Sequence, residues 1–592
     1  MKGSGYLLDE REMKMSNTEK LKPSQQKPWL KVFPEEALTA ELPKCTAYRY
    51  LRQENEAHLK GAALHYYGKD ISYGELFERI EKCANAFAAL GIKPGEVVSF
   101  LSVSIPETVV AIYALNKLGA TANMIDPRMD VDTIRDRVVE SNSRIFITLD
   151  IAYPKVLRIR EEIAQELIVV QSPARSLPPV LRLLKNMVSK TPVVYEENVV
   201  SWDEFLAKGK GVAAKEAPYV GDSVVAITYT GGTTGTPKGV MMTNDSMNAV
   251  AINFRHCGIY YNRGDRFLGI IPVFSAYGLV CGLHMPLVLG VTMVLIPNFK
   301  PQTIGKLVMK FRPQHMISVP AFYEILMESK EVKGKDLSFL ITLGSGGDTM
   351  NEGLENKLKA FLVEHNIKYP LAQGYGMSEI SAAASFCVND IYKPGSVGVP
   401  SVVTTIGIFK PGTSEELGLN EPGEICITGP TLMKGYFLRP EETEKVMWKH
   451  PDGQMWIHSG DIGYLDDDGF LFVQGRVKRM ITRFDGHKIF PVSIESLVAE
   501  HPLVHNCCTI GVADRSHGQG HHPLVLVMLD DCDKHAVCKE IFEICNARLE
   551  ERGRPVGVLA VSDIPLTGMG KNDYRTLEKV YGQFDYTQLD MG

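Results

Sequence analysis

The order of hydrophobic and polar residues between residues 70 and 400 alternates between two periods. The stretch "ISYGELFERIEKCANAFAALG" carries apolar residues at helical spacing and ends on a glycine. The next stretch, "EVVSFLS", is a short β-branched run that predicts a strand. "PETVVAIYALNKLGA" then predicts another helix, and "RIFITLD" predicts another strand. Strands that alternate with helices predict mostly parallel sheets that helices cover on both faces. We therefore predict an α/β fold for this part of the chain.

The pattern changes after Pro400. Short strands such as "TTIGIFKPG" and "GEICITGP" are separated by turns, which predicts a small antiparallel β sub-domain. Further along, helices and strands form a compact α+β unit, and the charged segment "GRVKRM" before it suits a hinge. We predict a large N-terminal domain over residues 28–477 and a small mobile C-terminal domain over residues 478–592. The polar residues 1–27 are expected to be a disordered leader.

One segment is long and apolar enough to require a test against a membrane span. Between Arg266 and Lys300 the chain has no Asp, Glu, Lys or Arg, and a spanning helix needs roughly 20 apolar residues. However, Pro272, Pro286, Pro297 and several glycines divide the segment into short pieces. We predict a buried strand, helix and strand, and no transmembrane segment.

The composition and net charge of the chain give no support for nucleic acid or membrane partners and favour the cytoplasm. The 592 residues carry a formal net charge of -6, which gives no electrostatic case for nucleic acid or for an anionic membrane. The 11 cysteines include no C-x-x-C pair, and the N-terminal stretch has no apolar core of the kind a secretory signal needs. We therefore expect reduced thiols and a cytoplasmic protein.

The stretch "YTGGTTGTPKGV", residues 229–240, is rich in glycine and threonine. It is not a Walker phosphate loop, because Pro237 occupies the place of the second glycine and Gly239 replaces the hydroxyl residue. Glycine N–H groups, threonine hydroxyls and the charge of Lys238 nevertheless suit a phosphate. The loop alone leaves open whether it binds phosphate or forms an ordinary glycine-rich hairpin.

The loop resembles the phosphate loop of the adenylate-forming superfamily, which includes acyl-CoA synthetases, aryl-CoA ligases, peptide-synthetase adenylation domains and beetle luciferases. The usual wording there is Y-T-S-G-[ST]-T-G-x-P-K-G, and Gly231 replaces the serine. Further stretches resemble the family's later motifs and follow in its order: "GYGMSE" (374–379), "GEICITGPTLMKGY" (423–436), "WIHSGDIGYLDDDGFLFVQGRVKRMI" (456–481) and "PLTGMGKNDYRTL" (565–577). The resemblance covers roughly residues 30 to 580.

The resemblance implies an enzyme that joins a carboxylate to the α-phosphate of ATP and releases pyrophosphate. It implies that Glu379 binds Mg²⁺, that Ser378 donates to the α-phosphate, and that Lys571 neutralises charge between the two reacting groups. Lys478 is at the family's hinge position. The implied nucleotide-binding residues are Thr230, Gly231, Gly232, Thr233, Thr234, Gly235 and Lys238 at the phosphates, Gly346, Gly347, Asp348, Tyr375 and Gly376 at the adenine, and Asp461 and Arg476 at the ribose.

The resemblance is less specific about the acyl acceptor and about the carboxylic acid. Gly486 in "RFDGHKIFP" matches a glycine that lines the family's tunnel for the CoA thiol, although Thr482 and one extra residue depart from the usual wording. The stretch "PVFSAYGL" has no Asp to pair with an amino group, which argues against an α-amino acid. The residues expected to line the acyl pocket are Ser275, Tyr277, Val280, Cys281, His284, Phe322, Gly374 and Ile380. His284 equally suits a core histidine.

The leading prediction is an ATP-dependent ligase that activates a fatty or aromatic carboxylic acid and transfers it to CoA. The first alternative is a stand-alone adenylating enzyme that loads a carrier protein in trans, and CoA dependence separates the two. The second alternative is a non-catalytic nucleotide-binding relative. Lys571, Glu379 and Asp461 are all present, which argues against that last hypothesis.

Overall fold

The computed structural model describes residues 22–163, 165–178, 180, 193–230, 237–387, 391–530, 532–565 and 572–589. These residues form two large, mainly parallel sheets, a five-stranded antiparallel sheet, and a C-terminal unit with sheets of two and three strands. Helices separate most of the strands of the parallel sheets. The α/β fold class with an antiparallel sub-domain is thereby confirmed.

The first large sheet has seven strands, and six of them are parallel. The central strands are continuous apolar runs with almost every residue buried, as expected for strands that helices cover on both faces. The last pair is antiparallel and aligns Tyr229 with Gly239. In spatial order the strands are Val199–Ser201, Leu167–Gln171, Ile145–Leu149, Val97–Leu101, Thr121–Ile125, Val224–Tyr229 and Gly239–Thr243.

The second large sheet has nine strands. Its middle strands run parallel, and antiparallel strands complete both edges. In spatial order the strands are Val399–Pro400, Ser385–Phe386, Ala372–Tyr375, Thr342–Ser345, His315–Ser318, Arg266–Gly269, Thr292–Leu295, Ala62–Tyr66 and Lys69–Ser72.

The helices around these sheets follow the apolar periodicity of the sequence. Helix Tyr73–Ala89 begins where the Ser72 hydroxyl accepts a hydrogen bond from the Glu75 N–H, and it buries Leu76 and Ile80 on one face. The other α-helices of the N-terminal part are Pro23–Gln26, Glu35–Leu38, Ala47–Asn55, Pro106–Lys117, Val131–Glu140, Tyr153–Ile163, Trp202–Lys208, Asn244–Arg255, Met285–Val288, Ile304–Phe311, Pro320–Glu328, Glu352–Glu364 and Pro440–Glu444.

The uncharged segment between residues 266 and 300 folds into short buried pieces. Strand Arg266–Gly269 leads to a π-helix at Tyr277–His284, which continues into helix Met285–Val288 and strand Thr292–Leu295. A side chain on Gly278 would collide with the backbone oxygen of Pro272, 2.0 Å from its Cβ. Among the described residues, no helix is long and apolar enough to cross a membrane.

The antiparallel sheet pairs strand Gly423–Thr428 with Thr405–Phe409 on one side and with Met455–Leu465 on the other. Strand Met455–Leu465 also pairs with Met447–Lys449 and with Leu471–Arg476. A bulge interrupts its pairing with Gly423–Thr428. This sheet therefore brings two of the motif regions of the sequence side by side.

The C-terminal unit has its own buried cores. Strands Val504–Ala513, His521–Leu529 and Gly557–Ala560 form one sheet, and Ile481–Thr482 pairs with Lys488–Ile489. Its α-helices are Pro491–Val498, Lys534–Arg548 and Tyr574–Tyr581. The boundary at residue 477 stays a prediction, and the turn Val477–Arg479 lies there.

The end of the predicted leader differs from the expectation. Residues 22–27, which we expected to be disordered, include the short helix Pro23–Gln26. The Ser24 hydroxyl donates to Glu416 at 2.6 Å and its backbone N–H donates to the same carboxylate at 2.9 Å. The polar composition of this stretch does not reveal that a partner 392 positions away fixes it.

Candidate active site

A cleft of about 2540 Å³ lies among the described residues of the two parallel sheets and the antiparallel sheet. It lies at the carboxyl ends of strands from both parallel sheets, because its wall includes Leu149, Thr230, Ile270, Ser345 and Tyr375. Ligands of open α/β sheets bind at these ends. Residues of the antiparallel sheet and of the turn after it close another side of the cleft.

Most of the residues expected to bind substrates reach this cleft. Those that line it are Thr230, Lys238, Ser275, Tyr277, Phe322, Gly346, Gly347, Asp348, Gly374, Tyr375, Gly376, Ser378, Glu379, Arg476 and Lys478. The predicted residues Gly231, Gly232, Thr233, Thr234, Gly235 and Lys571 lie outside the described residues. The roles of all these residues stay predictions.

The base of the glycine-threonine loop is closed by its own backbone. The Thr230 N–H donates to the Lys238 carbonyl at 2.9 Å, and the Lys238 N–H donates to the Thr230 hydroxyl at 3.1 Å. The Lys238 ammonium lies 2.5 Å from Glu442 and 4.8 Å from the centre of the Tyr436 ring. The hydrogen bond from Lys238 lowers the pKa of Glu442 to about 2. A carboxylate thus occupies the place near Lys238 that we expect an anionic phosphate to take.

Glu379 lies in a tight turn that only small neighbours permit. The turn follows Gly376, where a Cβ would lie 1.6 Å from the Ala382 carbonyl oxygen. Ser381 and Ala382 have positive φ angles of 55° and 99°, so the backbone is strained just beyond the carboxylate. Strain of this kind is concentrated at functional sites.

The Glu379 carboxylate is buried and faces the cleft. One oxygen accepts a hydrogen bond from the Tyr436 hydroxyl at 2.6 Å. Burial raises the pKa of the Glu379 carboxyl, more than the hydrogen bond from Tyr436 lowers it. A hard carboxylate oxygen at the wall of the cleft fits a Mg²⁺ ion.

Three side chains from separate strands meet at the expected ribose site. The Tyr375 hydroxyl donates to one oxygen of Asp461 at 2.7 Å, and the Arg476 guanidinium lies 2.9 Å from the other oxygen. Asp461 and Arg476 are direct partners across strands Met455–Leu465 and Leu471–Arg476. The interaction with Asp461 raises the pKa of Arg476.

Part of the predicted acyl pocket lies elsewhere. Val280, Cys281, His284 and Ile380 are fully buried and are not among the residues that line the cleft. His284 hydrogen-bonds to Tyr113 at 3.0 Å and to Asn248 at 3.1 Å, and burial lowers its pKa to about 3. The π-helix places Tyr277 at the cleft and turns Val280, Cys281 and His284 into the core, whereas Ile380 is buried at the end of the turn Ser378–Ile380.

Gly486 is also away from the cleft in this conformation. It is exposed and has a φ of 79°, in the turn where its N–H donates to the Arg483 carbonyl at 3.0 Å. Lys478, at the expected hinge, does line the cleft. The tunnel role of Gly486 therefore requires the C-terminal unit to move.

The part of the cleft wall that residues 254–347 form, the uncharged lobe, has no charged side chain. This part of the chain is described without a gap, and the residues in it that line the cleft include no Asp, Glu, Lys, Arg or His. Phe254 packs against Phe386 with ring centres 4.9 Å apart, and Tyr261 and Tyr277 add two further rings. This lobe can accept an apolar group. The cation next to it, Arg128, lies 5.1 Å from the centre of the Phe274 ring and is already paired with Asp126.

Sequence reasoning missed Tyr436 and Glu442. Tyr436 is the last residue of the quoted motif "GEICITGPTLMKGY", so its place next to the motif was the available signal. Its contact with Glu379 spans 57 positions and depends on how the antiparallel sheet meets the second parallel sheet.

Comparison with known proteins identifies the family of the chain. The family model described as "AMP-binding enzyme" matches residues 51–437, and the one described as "AMP-binding enzyme C-terminal domain" matches residues 493–571. The chain therefore belongs to the AMP-binding enzyme family, as the resemblance of its motifs to adenylate-forming enzymes indicated.

Three similar proteins illustrate the range of this family. A long-chain-fatty-acid–CoA ligase of Bacillus subtilis is 27% identical over 92% of this chain and 96% of the relative. A 4-coumarate–CoA ligase 1 of Narcissus pseudonarcissus is 29% identical over 76% of this chain and 78% of the relative. The crystal structure of the anthranilate CoA ligase AuaEII in complex with anthranoyl-AMP has a TM-score of 0.77 at 20% identity and covers 92% of this chain and 98% of its own.

Proposed function

We propose that this protein is an AMP-forming ligase that converts a monocarboxylic acid with an uncharged fatty or aryl tail into its CoA thioester. Its other reactants are ATP and CoA, and its metal ion is Mg²⁺. The observation that carries the proposal is one cleft, at the carboxyl ends of both sheets, whose wall combines Glu379 and the Asp461-paired Arg476 with an uncharged lobe. The similarity to acyl- and aryl-CoA ligases supports the same class of reaction.

The first half-reaction needs charge stabilisation more than it needs a protein nucleophile. A carboxylate oxygen of the acid attacks the α-phosphorus, and the bond to the pyrophosphate oxygen breaks, so that negative charge builds on the leaving phosphates. Mg²⁺ held by Glu379 supplies positive charge there. Lys238 leaves its ion pair with Glu442 and pairs with the phosphates instead, while Ser378 donates to the α-phosphate.

The nucleotide is held on the opposite side by groups that are already in place. Asp461 accepts the ribose hydroxyls, and its bonds to Tyr375 and Arg476 fix its position before ATP arrives. Gly346, Gly347 and Asp348 line the adenine side of the cleft. An acceptor whose geometry is fixed in advance loses little entropy when it binds.

The uncharged lobe selects the acid. A dicarboxylate or an α-amino acid would leave a charged group in this lobe without a partner, which carries a large desolvation cost. An apolar or aromatic tail instead gains roughly 25 cal/mol for each Å² of apolar surface that it buries. The second half-reaction then follows when the C-terminal unit turns at Lys478 and CoA replaces AMP on the acyl carbon.

The test is mass spectrometry on the purified protein with ATP, Mg²⁺ and a pool of fatty, aromatic and dicarboxylic acids, with and without CoA. We expect AMP and one or more acyl-CoA masses from monocarboxylic acids, and none from dicarboxylic acids. Bound acyl-adenylate without a thioester would indicate that a carrier protein, and not CoA, accepts the acyl group. No AMP with any acid would contradict the proposal.

The wall of the uncharged lobe contains a buried tyrosine hydroxyl without a hydrogen-bond partner among the described residues. The Tyr261 ring lines the cleft, but its hydroxyl oxygen is buried and has no hydrogen-bond partner among the described residues. A buried unsatisfied polar group costs about 1–3 kcal/mol. We therefore expect Tyr261→Phe to raise the free energy of unfolding by about 1 kcal/mol, measured by urea denaturation.

The same variant tests whether the tail of the acid is apolar. With an apolar acid, kcat/KM of Tyr261→Phe should stay within about twofold of the wild type, because the hydroxyl does not touch the substrate. A large loss of kcat/KM would show instead that the phenol binds a polar group of the acid.

A further inference from the structure

Asp461 follows a bulge in its strand, next to Ser459, Gly460 and Arg476 of the cleft wall. In the pairing of Gly423–Thr428 with Met455–Leu465, the three residues Ser459, Gly460 and Asp461 face the single residue Ile425. Gly460 has a φ of 72°, which turns the chain outward. The Ser459 hydroxyl donates to the Ile425 carbonyl at 2.6 Å and accepts from the Asp461 N–H at 3.0 Å.

Glu424 fills the inner side of this bulge. One oxygen of its carboxylate accepts a hydrogen bond from the Gly460 N–H at 3.1 Å. The other oxygen accepts from the Gly412 N–H at 3.3 Å and lies 3.0 Å from Nδ1 of His458. The side chain is buried, so few waters could replace it as the acceptor for the N–H of Gly460.

A chain of buried side chains keeps Glu424 ionised and in place. Burial alone would raise the pKa of Glu424, but the hydrogen bond from His458 and those from the two backbone N–H groups lower it. Nε2 of His458 lies 3.0 Å from Nε2 of His450, and the His458 ring stacks on Trp448 with ring centres 3.8 Å apart. These contacts fix the imidazole that faces the carboxylate.

We propose that Glu424 is the positioning residue for ribose recognition: it holds the turn at Gly460 so that Asp461 stands between Tyr375 and Arg476. Glu424 does not itself touch the nucleotide in this scheme. The inference rests on the proposed function, because it takes the ribose of ATP as the ligand of Asp461.

The change that tests this role is Glu424→Gln, which keeps the size of the side chain. The amide has one acceptor oxygen in place of two, so it can satisfy Gly460 or Gly412 but not both. Its NH₂ group then faces a backbone N–H, which is a donor as well. The turn should lose its fixed geometry, and Asp461 should lose its alignment with the ribose.

The readout is the preference for ATP over 2′-deoxy-ATP in kcat/KM, measured as AMP release with one acid. A hydrogen bond to a charged group accounts for about 10- to 100-fold preference in the wild type. We expect Glu424→Gln to lower this preference to about threefold or less, mainly through KM for ATP, with KM for the acid unchanged. Ser459→Ala removes a smaller contact in the same turn and should lower the preference part of the way.

The matched control is Glu416→Gln, a carboxylate in the same sub-domain that accepts from Ser24 and does not line the cleft. It should keep the wild-type preference. A loss of folded protein would lower the rates with both nucleotides equally and leave the ratio unchanged, so the ratio separates positioning from stability. If folded Glu424→Gln keeps the full preference, the proposal is overturned, whatever the result with Ser459→Ala.

Two further results are distinguishable. A wild type that releases no AMP would contradict the proposed function itself. A wild type that releases AMP but does not distinguish the two nucleotides would overturn the assignment of Asp461 to the ribose. Glu424, Cys426 and His458 also lie close enough together to hold a metal ion. The wild type should contain no stoichiometric zinc by elemental analysis; one equivalent that Cys426→Ser removes would make Glu424 a metal ligand and overturn its positioning role.

Discussion

Replacement of Glu379 by glutamine is expected to lower the rate of adenylate formation by about 10²- to 10³-fold. The amide keeps the size of the side chain and can still accept the hydrogen bond from Tyr436. It cannot offer a negatively charged oxygen to Mg²⁺, so the charge that builds on the departing pyrophosphate loses its counter-charge. The measurement is single-turnover formation of acyl-adenylate at saturating Mg²⁺ and ATP.

The same substitution should stabilise the folded protein at neutral pH. Burial raises the pKa of Glu379 in the folded state, so ionisation above that pKa costs stability that the unfolded chain does not lose. The advantage of Glu379→Gln should therefore be full above the raised folded pKa and should vanish as the pH falls below the ordinary carboxyl pKa. Thermal unfolding at a series of pH values measures it.

The control for both effects is Glu107→Gln. Glu107 is a buried carboxylate that accepts from Ser176 at 2.7 Å and does not line the cleft. Its amide variant should form adenylate at a rate within about twofold of the wild type. A wild-type rate in Glu379→Gln, with the control also unaffected, would contradict the assignment of Mg²⁺ to Glu379.

The sequence predicted the elements of this fold better than their assembly. The centres of runs such as "EVVSFLS" and "RIFITLD" are mostly apolar because helices cover both faces of their sheet, so the residues alone indicate buried parallel strands. The order of strands in the two sheets depends on contacts distant in the chain and has no local signal. The π-helix at Tyr277–His284 also has no periodicity that distinguishes it from an α-helix, and its different turn explains the misplaced pocket residues.

The candidate site shows the same division. Motif residues such as Glu379 and Arg476 could be placed from the sequence, because short stretches determine their local turns and strands. Glu442 and Glu424 could not, because their importance comes from partners across sheets. The ion pair of Lys238 with Glu442 and the bond of Glu424 to Gly460 are tertiary contacts.

Hydrogen bonds hold the residues on both sides of segment 566–571, and these residues form the base of the predicted loop with Lys571. The Asp573 N–H donates to the Pro565 carbonyl at 2.7 Å, which joins the two ends of the segment. The Asn572 amide donates to the Cys507 carbonyl at 2.9 Å and so ties the end to strand Val504–Ala513. Lys571 itself lies outside the described residues.

This base lies next to the expected hinge. The Arg479 guanidinium is 5.3 Å from the centre of the Tyr574 ring, and Arg479 follows Lys478 directly. A rotation at Lys478 therefore moves the base of the loop relative to the cleft. A lysine on this loop can serve one half-reaction in one orientation of the C-terminal unit and leave in the other.

We therefore expect Lys571→Ala to lower adenylate formation by about 10³-fold and to leave the reaction of supplied acyl-adenylate with CoA within a fewfold of the wild type. Only the first reaction builds charge between the carboxylate and the α-phosphate, so only it needs the ammonium. Lys579→Ala is the matched control, because Lys579 is exposed on the helix after the loop and should affect neither reaction. An equal loss of both half-reactions in Lys571→Ala would contradict the two-orientation scheme, since a residue that leaves the cleft cannot be required for the step that follows.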